Sequence, residues 1–441
     1  MAVNPLLEAS VEAVELEAFS KDIPSLIPKG TTAYSLFKNR ATTIPVSNAT
    51  QAGGTTRPSF RVPFRPQAGA PIQQGSGDAN SMLRGTGSSW DGFAASPVVV
   101  FNVCELSYLS QQATSGKARG LFNVKAQELK NSLDQAMQGI EGLINGDGSG
   151  TFDAIPSTAT VNNNTGSGLQ TSSIVGMNVA FAFSDQQVVQ VFSAIGGTNR
   201  GSATISTVDP VANTIYFSTV LPAGTTTGDI LVVQGGSGAA GSSILGIRYW
   251  QVNSNTGTLA GVSRTKWPGR LTTPTINLNG GPITQSVAQR ALVLLGRAIG
   301  PDAKAIKSGV WYGPPEQAFA ISNLFYNAQI SQNQEKGANV PDMARKGFAE
   351  TFGGREYQAS WTAQPGRVDL LLFDTWYMGE LTPLELYDFG GGNTVMPVPD
   401  VGTTNGTYLM SHMFAYVCGF NLVNSAPKLG LYVQGAAIPS V

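Results

Sequence analysis

Charge is what this chain has least of. Asp, Glu, Lys and Arg make up 12% of its 441 residues, against about 25% in an ordinary soluble domain. Gly, Ser, Thr, Asn and Gln fill the gap, with 52 glycines alone. A free monomer keeps a charge-rich surface for solubility, whereas interface cores are depleted in Lys, Glu and Asp. So little charge suits a surface covered by neighbours; it suits a β-rich secreted protein with long turns equally well. Other absences narrow the field. A net charge of −1 leaves no basic stripe for reading nucleic-acid sequence. No apolar run reaches the roughly 18 residues of a membrane-spanning helix, and the N-terminus lacks a basic-then-apolar export pattern. One histidine and two cysteines are too few for His- or Cys-rich metal sites. Cys104 and Cys418 lie in apolar runs without Cys-x-x-Cys partners and read as buried thiols.

What is present is most informative between residues 41 and 100. Prolines at 45, 58, 63, 66, 71 and 97 forbid a helix there. A structureless loop of that length is unusual, since loops beyond about 12–15 residues are uncommon in compact domains. Ile44/Val46 and Phe60/Val62/Phe64 alternate as strand residues do. The segment therefore reads as a two-way β arm with little core of its own, whose partner surface lies on another copy. Arg61 and Arg65 are opposite in parity to Val62 and Phe64, making one face cationic and the other apolar. Arg57, Arg61, Arg65 and Arg84 are candidates for ion pairs across a subunit boundary, where guanidinium groups pair well with carboxylates. Phe60, Val62, Phe64 and Trp90 complete the candidate contact set.

The length suits about two to three domain-sized units. The first forty residues contain a short amphipathic stretch, with Leu7, Val11, Val14 and Ala18 at helical spacing among Glu8, Glu12, Glu15 and Glu17. A long helix is expected from Lys117 to Ile144, where Phe122, Ala126, Leu129, Leu133, Met137, Ile140 and Ile144 form one stripe. Asn145-Gly146 should supply a left-handed cap. Short strands follow, at Asn178–Ser184, Gln187–Ile195, Ser202–Val208, Thr214–Val220 and Asp229–Gln234, with a hairpin turn at Asp209–Asn213. They suggest a small inserted barrel or sandwich. Helices are expected at Pro282–Ile299 and Pro314–Gln332, and strands at Gly309–Tyr312, Glu356–Trp361, Val368–Trp376, Thr407–Cys418 and Leu429–Gln434.

Enzyme signatures are weak. Asn145–Asp153 begins like a calcium loop, but its twelfth position is Pro156 where a bidentate Glu belongs, so a helix end and turn fit better. His412 has no Gly-x-Ser-x-Gly elbow to serve and reads as a packed or interface residue. Gly235–Gly238 and Gly390–Gly392 lack a following Gly-Lys-Ser/Thr and read as turns. A two-carboxylate glycosidase needs a converging pair; Asp369/Asp374 and Glu380/Glu385 are available, and nothing marks either.

The order of parts resembles the major capsid proteins of tailed phages (Caudoviricetes), which have the α+β Hong Kong 97-type fold. The likeness lies in an N-terminal arm, a long Pro/Gly-rich β arm, one long helix entered through Arg119-Gly120-Leu121-Phe122, and an α/β domain with a β insertion. Gly309-Val310-Trp311-Tyr312-Gly313-Pro314 precedes a helix of that domain, and strands return at the end. The resemblance implies an N-arm at 1–40, an E-loop at 41–100 and a P-domain part at 101–170 with a spine helix at 117–144. It implies an A-domain mainly at 171–180 and 237–365, an inserted β-barrel at 181–236, and strands of both domains at 366–441. It further implies a self-assembling icosahedral shell of hexamers and pentamers in the virion, built in the host cytoplasm around double-stranded DNA that it touches non-specifically. No enzymatic activity, cofactor, metal or membrane is implied. A portal protein is an implied partner, and a decoration protein an optional one. Some members cross-link through an E-loop lysine; residues 41–100 contain none, so a shell without such links is expected. Only about forty residues precede the E-loop, so a separate scaffolding protein is expected and a large cleaved prodomain is not. The alternatives are another virion component, from tail or baseplate, and a β-rich glycan hydrolase.

Overall fold

A computed structural model describes residues 32–50, 56–67, 88–107, 124–163, 172–299, 309–322, 351–390, 392–399 and 408–438. The amphipathic stretch expected at Leu7–Ala18 lies outside them. The described residues fall into two compact units. The smaller contains Val99–Ile140 and Leu381–Gly419; the larger contains Thr32–Val98, Glu141–Glu380 and Phe420–Val441.

The larger unit opens with helix α1 (Thr32–Arg40), then strands β1 (Thr42–Pro45), β2 (Ser47–Thr50), β3 (Thr56–Gln67) and β4 (Ser89–Ala95). β5 (Val98–Ser107) leads into helix α2 (Val124–Ile144). At 21 residues α2 is about 30 Å long; the first seven residues of the expected helix, 117–123, lie outside the described set. Its end differs from expectation. Neither Asn145 nor Gly146 has a positive φ, and the first left-handed residue is Gly148. The Asn145 amide still donates to Glu141 O at 3.0 Å. Its side chain donates to Thr362 and Ser360, and its carbonyl accepts from Arg248 Nε at 2.8 Å. Side chains thus satisfy the groups that a left-handed cap would satisfy. Gly246 is required here, because a Cβ would sit 2.4 Å from Ile144 O.

Beyond α2, β6 (Thr151–Ala154), β7 (Thr160–Asn163), β8 (Ser172–Val175), β9 (Val188–Phe192), β10 (Asn199–Asp209), β11 (Thr214–Phe217) and β12 (Ile230–Val233) form one seven-stranded sheet. Its order is β6-β12-β9-β10-β11-β8-β7. β10 pairs with β9 over its first half and with β11 over its second. The Asp209–Asn213 turn is present, with Asn213 left-handed and Asp209 Oδ1 accepting the Val211 and Ala212 amides. The sheet draws in 151–175 as well as the expected 181–236. Ala180–Ala182 is a 3-10 turn where a strand was expected, because Asp153 Oδ2 binds the Asn178 and Val179 amides and diverts the chain.

A short helix α3 (Ile247–Trp250), the ribbon β13 (Thr258–Leu259)/β14 (Val262–Ser263), β15 (Thr275–Asn277) and helix α4 (Gln285–Ile299) follow. β16 (Gly309–Gly313), β17 (Thr351–Phe352), β18 (Arg355–Ala359), β19 (Val368–Leu372), β20 (Trp376–Leu386), β21 (Met396–Pro399), β22 (Tyr408–Asn424) and β23 (Leu431–Gln434) complete the strands. A six-stranded sheet runs β15-β23-β19-β16-β18-β17. Its apolar face packs on α4 through Val287, Ala288, Ala291 and Leu295, with Trp311, Leu370 and Val433 at the centre. The expected helix after Pro314 is seen over residues 315–322. The mixture is α+β and sheet-rich. In the smaller unit, β20 beyond Leu381, β22, β21 and β5 make a sheet. Leu106, Cys104, Leu386 and Phe414 on one face of it pack with Leu129 of α2.

Candidate assembly interface

The β arm is where the sequence placed its candidate contacts, and its geometry follows from period-two alternation. β2, β3 and β4 form an antiparallel sheet, with Val62 opposite Phe93 and Phe64 opposite Asp91. Along β3 the burial alternates residue by residue: Phe60, Val62 and Pro66 are buried, while Arg61, Pro63, Arg65 and Gln67 are exposed.

The apolar face is occupied by the chain itself. Phe60 lies on the backbone of Gly379, where any Cβ would clash with its ring. Val62 is 1% exposed. Phe64 stacks on Phe93 at 4.4 Å, and Phe93 meets Trp250 edge-on at 5.1 Å. The arm thus has an intramolecular partner along this face, contrary to the reading that its partner surface lies wholly on another copy. Burying side chains of this size stabilises by roughly 1.5–3 kcal/mol each, and here that energy joins the arm to its own subunit.

Polar contacts pin the same root. Asp91 Oδ2 accepts from Lys266 Nζ at 2.8 Å and Trp267 Nε1 at 3.1 Å, and Oδ1 accepts from the Gly92 amide. The Lys266 and Trp267 bonds hold the Asp91 carboxyl down at about 2. The Ala94 amide donates to Ala260 O beside the β13/β14 ribbon. β1 runs parallel to β20, Thr42 opposite Tyr377, and Lys38 pairs with Glu380 at 3.3 Å. Phe37 packs edge-on against Phe373 and Trp376.

The opposite face is left open. Arg61 and Arg65 project from it and make no ion pair among the described residues. Trp90, 67% exposed, lies across from the Arg65–Pro66 irregularity in the β3–β4 register. Arg57 is on β3 opposite Ala49; Arg84 lies outside the described residues. The predicted set therefore divides: Phe60, Val62 and Phe64 turn inward, and Arg61, Arg65 and Trp90 turn outward. Sequence reasoning missed Asp91 and Lys266, which are 175 positions apart and leave no local pattern.

Elsewhere, polar groups serve structure. Among the described residues no group of three or more His, Cys, Asp and Glu is placed to hold a metal. Asp147 Oδ1 accepts from the Ser149 amide and hydroxyl, forming a turn. Asp369 is held bidentately by Arg367, whose guanidinium also stacks 4.3 Å over Tyr432. Glu141, buried at the end of α2, accepts from Ser360 Oγ at 2.5 Å. Burial raises the Asp153 carboxyl to about 6, against the opposing pull of Arg248.

No protein-family model and no curated protein matches the chain. Solved structures do. The chain is similar to the capsid asymmetric unit of cyanophage A-1(L), at 9% identity and a TM-score of 0.52, covering 97% of this chain and 99% of that one. It is similar also to the capsid of the native GTA particle, at 10% identity and 0.47, covering 99% and 100%. The capsid of Myoviridae phage XM1 aligns at 10% identity and 0.44, covering 95% and 97%. The cyanophage likeness shows the fold: over nearly its whole length this chain shares the fold of that capsid chain.

Proposed function

We propose that this protein is the major capsid subunit of a tailed phage, assembling as hexamers and pentamers into the icosahedral shell around the double-stranded DNA genome. The observation that carries this reading is the end-to-end likeness to the cyanophage capsid subunit. The charge-poor composition and a β arm with one open face of Arg and Trp support it. Within it, 41–100 is the E-loop, α2 the spine helix of the P-domain, and the six-stranded sheet with α4 the centre of the A-domain. The seven-stranded sheet is the inserted β domain, facing outward because packed DNA crowds the inner side. Partners are other copies, a separate scaffolding protein and the portal, with a decoration protein an optional addition.

Since residues 41–100 contain no lysine, the shell is held by β pairing, apolar contacts and arginine ion pairs rather than by lysine cross-links. Boiled in detergent, shells should release single chains; ladders that survive would contradict this. Electron microscopy of the protein expressed with its scaffolding protein tests the function itself. Closed shells are expected. Tubes would place the chain in a tail, and monomers alone would remove the shell reading.

A further inference from the structure

Asp153 is buried where the seven-stranded sheet meets the last turn of α2. It is 2% exposed, and its Oδ2 accepts from the Asn178 amide at 3.0 Å and the Val179 amide at 3.2 Å. Those bonds lead the chain into the 3-10 turn Ala180–Ala182 and then to Phe183, and Ala180, Ala182 and Phe183 are all buried. The turn lies against the helix. A Cβ on Gly142 of α2 would meet the Phe152 ring at 2.8 Å and Ala182 Cβ at 3.3 Å, and Phe183 meets Phe152 edge-on at 5.2 Å. Residues 178–183 therefore fasten the sheet to α2, and one carboxylate holds the first two amides of the fastening. The cation facing that carboxylate is Arg248 of α3, which donates to Asn145 O and Phe152 O. Around Arg248 stand Asp147 from the turn after α2, and Asp369 of β19 with its partner Arg367. On the β12 side Asp153 faces uncharged Leu231, and Asp185, beyond the turn, accepts from the Val208 amide. With every group ionised, the cluster holds one more carboxylate than guanidinium. Burial raises the Asp153 carboxyl to about 6, over the opposing pull of Arg248 and of the amides.

We propose that residues 178–183 are a proton-operated latch on the end of α2: the latch holds with Asp153 protonated and opens more readily with Asp153 ionised. The cause is hydration. Lifting the turn off the helix gives the carboxyl group access to water, which favours the charged form far more than the neutral one. An open latch therefore binds a proton less tightly than a closed one, and the proton in turn favours closure. The sign follows. Closure gains its full support below the solvated carboxyl value of about 3.9, and that support is lost as pH rises through about 6. The latch belongs to the single subunit and is independent of the shell reading.

Hydrogen exchange of the unassembled full chain reads the latch directly. Mass spectrometry follows the peptide that contains 178–183, with rates corrected for the intrinsic pH dependence of exchange. The opening equilibrium of this peptide should be about tenfold larger at pH 7 than at pH 5. Asp153→Asn keeps a side-chain carbonyl for the two amides and removes the charge, so its opening should stay at the low wild-type value of pH 5 throughout. Asp185→Asn alters the nearby exposed carboxylate and should keep the wild-type pH dependence. A wild-type profile that is flat with pH would overturn the latch, and this arm needs no variant to fold. Dependence that persists in Asp153→Asn or disappears in Asp185→Asn would also overturn it. The same tenfold change in every peptide of the subunit would mean global unfolding rather than a latch and would overturn the proposal as well.

Discussion

The two faces of the β3–β4 hairpin share one backbone and differ in everything else. On one face Phe60 and Val62 are buried, Phe60 on Gly379, and half-buried Phe64 stacks on Phe93, which meets Trp250. The face of Arg61, Arg65 and Trp90 is exposed and cationic. A strand sends successive side chains to opposite sides, so one twelve-residue strand can be rooted in its own subunit and still present a surface outward. Rooting the arm before assembly lowers the ordering cost that a free arm would face on docking. The two faces should therefore fail differently when altered.

The inward face should give the largest effects on folding. Phe60→Ala leaves a cavity over Gly379 and should cost about 3–5 kcal/mol, measured by denaturant unfolding of the isolated subunit. Gly379→Val attacks the same contact from below and should destabilise by a comparable or greater amount, since its Cβ has no room. The outward face should leave that measurement unchanged, so Trp90→Ser should alter stability by no more than about 0.5 kcal/mol while impairing assembly. Equal loss of stability from both faces would erase the distinction.

Asp91 gives a smaller effect between these extremes. Its carboxyl is held at about 2 by Lys266 and Trp267, below the unfolded value near 3.9. The stabilisation is present above pH 4 and is lost as pH falls toward 2. Asp91→Asn should cost at most about 1 kcal/mol at neutral pH, as half-exposed ion pairs do, and should flatten the stability profile between pH 4 and 2. Asp153 has the opposite sign. Raised to about 6 by burial, it favours the folded state more as pH falls from 7 toward 4, and Asp153→Asn should remove that gain. Val211, 93% exposed at its hairpin tip, is the control: Val211→Ser should change subunit stability by less than about 0.5 kcal/mol.

Much of this architecture was legible because it is periodic. The stripe from Leu129 to Ile144 announced α2, and the alternation at Phe60–Phe64 announced β3 and its two faces. Which face turns toward the subunit was not legible. That depends on Gly379, more than three hundred positions away, offering a bare backbone to an aromatic ring. The strands at 151–175 escaped for another reason. Thr160–Asn163 and Ser172–Val175 are four residues each and rich in Thr, Asn and Ser, so they carry too little apolar alternation to register. The left-handed cap after α2 was misplaced because Arg248 and Thr362, remote in sequence, satisfy the helix end instead.

The most direct measurement is a cryo-electron microscopy reconstruction of the particle formed by the full chain with the proposed scaffolding protein. It should show a closed icosahedral shell in which Phe60 and Val62 pack within their own subunit, while Arg61, Arg65 and Trp90 lie against a neighbouring subunit. A shell whose arms leave those three residues in solvent, or an assembly that is not a shell at all, would contradict the account.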